Sequence, residues 1–434
     1  MTVDTDVTKA SRWKTDKGFN MYKKMIRKNV ITMLLAGAMS LMPMASAYAD
    51  VYYMGGASEA VGPGVGLVEG TRAADDTVSL DAADYAATGG LGLGGIEISS
   101  AVPAGCTVIS DLIEVPDAIV KTPEVYTYDY MFHDMDTLSQ KYRGRMAYRS
   151  VGTSRDGRAI YEMILGNQNA GTHVLFTASV HAREYITTNL VMKQAEYLLY
   201  ADANLYSFDG KPISDWLNEV CIHIIPMANP DGVAISQFGI DGLRSDALKT
   251  ALRNCYNYDL SNQRTSYSFE EYCRRFKANA IGVDLNQNFA GAWDTASGKA
   301  TQGSFSGYKG PGAVSEPESR ALVSVYSARK FKAVVNYHAQ GEVIYWNIAH
   351  NKLREHSRDL AHNLAALTGY QMLFSSGGGG FKDYVQLTQN PSTSVTLEVG
   401  KTPCPVPYTE MEQIFAQNKY VPLYTIKWAK EKGK

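Results

Sequence analysis

Two rhythms of apolar residues run through residues 126–428. The first is a short apolar, β-prone run of the kind that forms strands. Val174 to Val180, Val220 to Met227, Phe331 to Tyr337 and Thr393 to Val399 carry it. Met146 to Ser150 and Ala159 to Leu165 alternate instead, like paired strands joined by the turn Ser154-Arg155-Asp156-Gly157. The second rhythm is helical spacing. It predicts helices over Met131 to Tyr142, after Tyr185 (Leu190, Val191, Ala195, Leu198, Leu199), and over Glu316 to Lys330, Leu353 to Leu367 and Ile414 to Trp428. Ser315 reads as the N-cap of the third of these, with Pro317 at an early position. Asn229-Pro230-Asp231-Gly232 is a strong turn signal. Residues 239–280 are polar and read as a long irregular insertion, and Ile281 to Asn286 as a short strand. Strands that alternate with helices predict an α/β domain, beginning near Tyr126. In such sheets ligands gather at strand ends. His181, Asn286, His338 and Glu398 all stand at or near the end of a predicted strand.

The 434 residues are 45% hydrophobic and 20% charged, enough apolar material for a sizeable soluble core. A formal net charge of −2, with no basic run outside the N-terminus, argues against a nucleic-acid partner. The 28 Tyr against 13 Phe favour a partly wet binding groove. Lys23, Lys24, Arg27 and Lys28 precede an apolar run, Val30 to Met44, and then Ala45-Ser46-Ala47-Tyr48-Ala49. This is the pattern of a secretory signal, with Met21 as its expected start and cleavage after Ala47 or Ala49. The apolar run is short for a membrane span and contains Gly37 and Pro43, so no stable membrane insertion is expected after cleavage. Residues 1–49 are therefore an upstream extension and signal peptide. Residues 50–120, rich in Gly and Ala, read as a linker or pro-segment, and residues 121–434 as the folded domain. The five Cys are an odd number, so no complete disulfide framework follows. Cys255 and Cys273 are the pair to expect in an oxidising compartment; Cys221, inside an apolar strand, reads as simply buried.

The run Thr172 to Tyr200 delivers His181 and Glu184, three positions apart, to the start of a helix. At that spacing an imidazole and a carboxylate can converge on one metal ion, although a Glu at a helix start is also favoured by the helix dipole. His338 follows an apolar strand and would add a second nitrogen. Two nitrogens and one carboxylate leave a coordination position open for water, as catalytic zinc sites do. Glu398, an acid in an apolar strand, is the candidate base; a structural ion pair is the alternative. His223, inside an apolar strand, reads as a satisfied core histidine, and His350, His356 and His362 as surface residues.

His181-Ala182-Arg183-Glu184-Tyr185, Asn229-Pro230-Asp231-Gly232, Gly282-Val283-Asp284-Leu285-Asn286, Tyr308-Lys309-Gly310-Pro311 with Ser315-Glu316-Pro317-Glu318, Asn336-Tyr337-His338 and Thr396-Leu397-Glu398 follow one another in this order. In that order they resemble the zinc carboxypeptidase family (carboxypeptidase A-like) over about residues 126–428. The resemblance implies a single mixed β-sheet of about eight strands flanked by helices. It implies one zinc ion held by His181, Glu184 and His338, Glu398 as general base and acid, and substrate contacts from Arg183 and Asn286. Gln287 stands where family members that take ordinary C-terminal residues carry an Arg that clamps the terminal carboxylate. Lys277, nine residues before Asn286, is the candidate cation for the oxyanion, with Arg274 and Arg275 behind it. The mobile Tyr of the family falls near Ser375-Ser376, and Tyr384 is expected to pack. Phe276-Lys277-Ala278-Asn279 and His338 to Trp346 resemble the bacterial branch that cuts γ-D-glutamyl–meso-diaminopimelate bonds. The expectation is a secreted or cell-envelope monomer acting on muropeptides. The alternatives are an ordinary secreted metallocarboxypeptidase releasing C-terminal residues, and a non-catalytic wall-binding homologue.

Overall fold

A computed structural model describes residues 107–108, 114–296, 298–374 and 377–433. The expected upstream extension and signal peptide (1–49) and most of the 50–120 segment lie outside the described residues, as do Cys106 and Ser375-Ser376. At the centre is an eight-stranded sheet. Its strands are β1 (Met146–Thr153), β2 (Ala159–Leu165), β3 (Thr172–Thr177), β4 (Val220–Ile225), β5 (Phe331–His338), β6 (Val343–Asn347), β7 (Gln371–Phe374) and β8 (Thr393–Glu398). Their order across the sheet is β7-β6-β8-β5-β3-β4-β2-β1. The middle strands β8, β5, β3 and β4 run parallel; β6 runs against β8 and parallel to β7, and β2 runs against both β1 and β4. The sheet is mixed, as expected.

The helices are α1 (Tyr128–Lys141), α2 (Ile186–Ala203), α3 (Ile213–Glu219), α4 (Pro230–Phe238), α5 (Asp246–Ser261), α6 (Phe269–Arg274), α7 (Pro317–Ser327), α8 (Arg354–Thr368), α9 (Phe381–Leu387), α10 (Met411–Asn418) and α11 (Val421–Glu431). Successive strand residues point to opposite faces. Val174 and Phe176 of β3 therefore pack with α1, α2, α8 and α11, while Leu175 packs on the other face with α7 and α9. Burial on both faces is why the central strands read as continuous apolar runs. Each such Val, Leu or Phe side chain contributes about 1.5–3 kcal/mol. Among the described residues no helix is long and apolar enough to cross a membrane.

Several expectations are corrected. Residues 239–280 are not irregular: they hold α5 and α6, whose Leu252, Cys255, Tyr272 and Cys273 form a separate apolar cluster with Phe276. Cys255 and Cys273 are both free thiols inside that cluster, and the Cys255 Sγ–H points to the Ile281 carbonyl at 3.7 Å. Residues 281–286 form no strand; a short 3-10 turn, Leu285–Gln287, carries Asn286. The N-cap of α7 is Glu316, not Ser315, whose hydroxyl instead donates to Glu316. The expected helix from Ile414 to Trp428 is two helices, because Pro422 starts α11. The short strands β6 and β7 were not foreseen.

Candidate functional site

β3 ends at Thr177, and the chain then carries His181 into a 3-10 turn, Ala182–Glu184, that leads into α2. β5 lies beside β3 and ends on His338, and β8 lies beside β5 and ends on Glu398, with Glu398 in register with His338. Parallel neighbours thus bring residues from three distant stretches to one end of the sheet.

His181 Nδ1 lies 2.8 Å from Glu184 Oε1, and His338 Nδ1 lies 2.8 Å from Glu184 Oε2. The two Nδ1 atoms are 3.1 Å apart. All three side chains are buried, and one ligand atom from each lies within 4.8 Å of the others. Two imidazole nitrogens and a carboxylate, converging in a buried place, are a donor set that suits zinc. On its far side His181 Nε2 lies 3.3 Å from Asp284 Oδ1. A carboxylate behind a histidine fixes which ring nitrogen is bare, the usual support of a metal-binding imidazole.

The two glutamates are driven apart. Burial pushes Glu184 up, but the charges and hydrogen bonds of His181 and His338 outweigh it and hold the carboxyl well below the usual range. Burial pushes Glu398 up to about 7, with the nearby Glu184 charge adding to it and His338, Lys277 and Arg183 opposing it. One carboxylate therefore stays ionised while the other is set to exchange a proton near neutrality. For Asp284 burial is again outweighed, by His181 and Lys277, so that it stays ionised.

A cavity of about 270 Å³ opens over this group. His181, Lys277, Asn286, Gln287 and Glu398 all line it. Arg183 lies outside that lining; its Nη1 is 3.5 Å from the Arg275 carbonyl, and its buried Nε has no hydrogen-bond partner among the described atoms. Asn286 Oδ1 accepts from the Phe381 N–H at 3.2 Å and so ties the turn to the start of α9. Gly291 permits this approach, because a Cβ there would collide with the Tyr384 backbone. Tyr384 packs, as expected, against Phe381 and Tyr326. Gln287 Oε1 is buried without a hydrogen-bond partner.

Three charged residues of the lining were not foreseen as site residues: Asp284, Lys382 and Asp383. Lys382 Nζ lies 2.5 Å from Asp383 Oδ1 and donates to the Asn347 carbonyl at 3.3 Å. Both side chains are buried in the wall of the cavity.

The sequence profile described as "Zinc carboxypeptidase" matches residues 131–420. Among characterised relatives, Gamma-D-glutamyl-L-diamino acid endopeptidase 1 of Lysinibacillus sphaericus is 29% identical over 303 residues, covering 69% of this chain and 72% of the relative. Carboxypeptidase A2 of Mus musculus is 23% identical over 257 residues, covering 56% of this chain and 53% of the relative. The crystal structure of a carboxypeptidase A from Helicoverpa armigera shares the fold, with a TM-score of 0.54 at 19% identity, covering 72% of this chain and 75% of that one.

Proposed function

The chain belongs to the zinc carboxypeptidase family and is a metallopeptidase, and on that premise we propose that it hydrolyses peptidoglycan peptides at a γ-D-glutamyl–diaminopimelate type bond. His181, Glu184 and His338 would hold one zinc ion. When bound there, zinc supplies Lewis acidity and brings the pKa of a water down to about 7.

The remaining steps belong to side chains. Glu398 in its ionised form takes a proton from the attacking water, then returns it to the leaving amine. A pKa close to neutrality suits both directions of that transfer. Lys277, in the same cavity, offers a positive charge to the oxyanion that develops on the scissile carbonyl. Asn286 and Gln287 orient the substrate, and the Arg183 charge favours the ionised form of Glu398.

The substrate reading is carried by the charge pattern of the cavity. Gln287 is neutral, so no Arg stands there to grip a plain C-terminal carboxylate. The wall instead carries a buried pair of opposite charges, Lys382 and Asp383, and the bare acceptor of Gln287. A diamino acid end presents both ammonium and carboxylate, and such a wall can meet both. The 29% identical Lysinibacillus relative, named for a γ-D-glutamyl-L-diamino acid bond, agrees with this reading. Export to the cell envelope rests on the basic and apolar segments of residues 23–49.

The test compares two substrates on the purified protein: a γ-D-Glu–diaminopimelate tripeptide and a blocked dipeptide ending in Phe or Lys. Faster turnover of the tripeptide supports the proposal. Preference for the dipeptide would assign an ordinary metallocarboxypeptidase, and no turnover of either a binding protein.

A further inference from the structure

A second group of metal-ligating side chains sits at the other end of β3. His173 and Cys221 are register partners on β3 and β4, and His223 lies two residues beyond Cys221, on the same strand face. Cys221 and His223 are fully buried and His173 is half-buried. One ligand atom from each lies within 4.8 Å of the others. His173 Nδ1 and His223 Nε2 are 3.0 Å apart, close to the 3.1 Å between the imidazoles of the His181 site.

The surroundings of His223 resemble those of His181. His223 Nδ1 lies 2.7 Å from Glu162 Oε1, and the other oxygen of Glu162 takes the Arg149 Nε–H at 2.6 Å. Glu162 is completely buried. A carboxylate on Nδ1 leaves Nε2 with its lone pair, turned toward His173 and Cys221, as in a carboxylate–histidine–metal arrangement. Phe331 closes the group with its ring against both imidazoles. Burial pushes the Cys221 thiol up to about 12 against the nearby Arg329 charge, and burial, with the charges of His223 and Arg329, holds His173 below its usual value, so its imidazole is neutral. None of these residues takes part in the chemistry at the far end of the strand.

We infer that His173, Cys221 and His223 form a second, non-catalytic site for a thiophilic transition-metal ion of the zinc class. Two imidazoles and a thiolate are the softer of the two donor sets found among the described residues, and such sets favour zinc or copper over magnesium or calcium. Binding joins β3 to β4 directly, and reaches β2 through Glu162. On binding, the thiol proton of Cys221 is released to solvent and the sulfur lone pair forms the metal bond. The inference stands independently of the reading of the His181 site, which contains no thiol.

Cobalt(II) distinguishes the two sites, because only a thiolate ligand gives sulfur-to-cobalt charge-transfer absorption in the near ultraviolet. The full-length protein is stripped of metal and titrated with Co²⁺. The expected result is two bound equivalents and a thiolate charge-transfer band. Cys221→Ser removes the band and one equivalent, while peptidase activity stays within about twofold of the parent. His173→Gln, at the half-buried strand start, is a second variant that also loses one equivalent; circular dichroism verifies that both are folded. No thiolate band in the parent protein, whatever the number of equivalents, or a band that survives Cys221→Ser, would overturn the inference; a single equivalent that carries the band would uphold it and overturn the reading of the His181 site instead.

Discussion

Asp284 lies 3.3 Å behind His181, on the ring nitrogen that faces away from Glu184. The imidazole is thus held between two carboxylates, with Nδ1 turned toward Glu184 and His338. The Asp284 carboxylate also accepts the Gly307 N–H at 2.9 Å, so its own position is fixed by backbone. Such a partner typically contributes 10–100-fold to metal affinity (about 1.4–2.8 kcal/mol). Asp284→Asn is expected to weaken zinc binding by that order while leaving the far-ultraviolet dichroism unchanged, as measured by competition with a chromophoric chelator. Unchanged affinity would make Asp284 a structural acid only.

Glu398→Gln keeps the shape of the side chain and removes its proton transfer. We expect kcat/KM to fall by about 10²–10⁴. Zinc content should not change, because Glu398 is not among the proposed ligands. Loss of metal together with activity would instead make it part of the metal shell.

The acid limb of the pH profile follows from the same residue. Glu398 works as a base when ionised, and its carboxyl is pushed up to about 7 by burial, with Glu184 adding to it. A bound dication pulls that value down by charge attraction. As pH falls, kcat/KM should therefore drop through an apparent pKa at or below about 7. A rate that climbs as the solution is acidified across pH 5–7 would contradict this assignment.

Lys382 is expected to bind substrate rather than take part in the chemistry. Lys382→Met should raise KM for the diaminopimelate-ended tripeptide by about 10–100-fold, the range for a charge-assisted hydrogen bond of ~1.5–3 kcal/mol. kcat should stay within a few-fold, provided circular dichroism shows an intact fold. An equal fall in kcat with KM unchanged would place the residue in the transition state instead.

Glu318 gives a prediction on stability. Burial, reinforced by the charges of Asp231 and Glu316 against a hydrogen bond from Asn279, pushes its carboxyl up to about 7. Between the unfolded value near 4.3 and about 7, the folded chain binds this proton more tightly than the unfolded chain. Stability should therefore decline as pH rises through that window, by up to ~4 kcal/mol, and level off on either side. Glu318→Gln should flatten the slope, as read from urea unfolding at pH 5 and pH 8.

His181, Glu184, His338 and Glu398 were legible because each is a polar residue at the edge of an apolar run, where burial demands a reason. Asp284 was not, since Ile281 to Asn286 looks like a strand whose acid would face solvent. Only the fold shows that the segment turns and sets Asp284 against His181. Lys382 and Asp383 follow four glycines in the sequence and have the appearance of a surface loop. Their burial depends on α9 docking against the Asn286 turn, a long-range contact without a local signal. The α5 helix was missed because Leu252 and Cys255 are outnumbered by polar neighbours; its burial comes from Tyr272 and Phe276 across the cluster. Pro422 is the local signal that divides Ile414 to Trp428, since a proline suits the first turn of a helix and not its interior.

The most direct test is to measure peptidase activity against zinc occupancy as metal is withdrawn by a chelator and then restored, in parallel for the parent protein and Glu184→Ala. Activity in the parent should fall and recover with the equivalent that Glu184→Ala cannot bind, and the variant should remain inactive at any zinc concentration that leaves it folded. Full turnover by metal-stripped protein, or by Glu184→Ala, would contradict the assignment of His181, Glu184 and His338 as the catalytic zinc ligands.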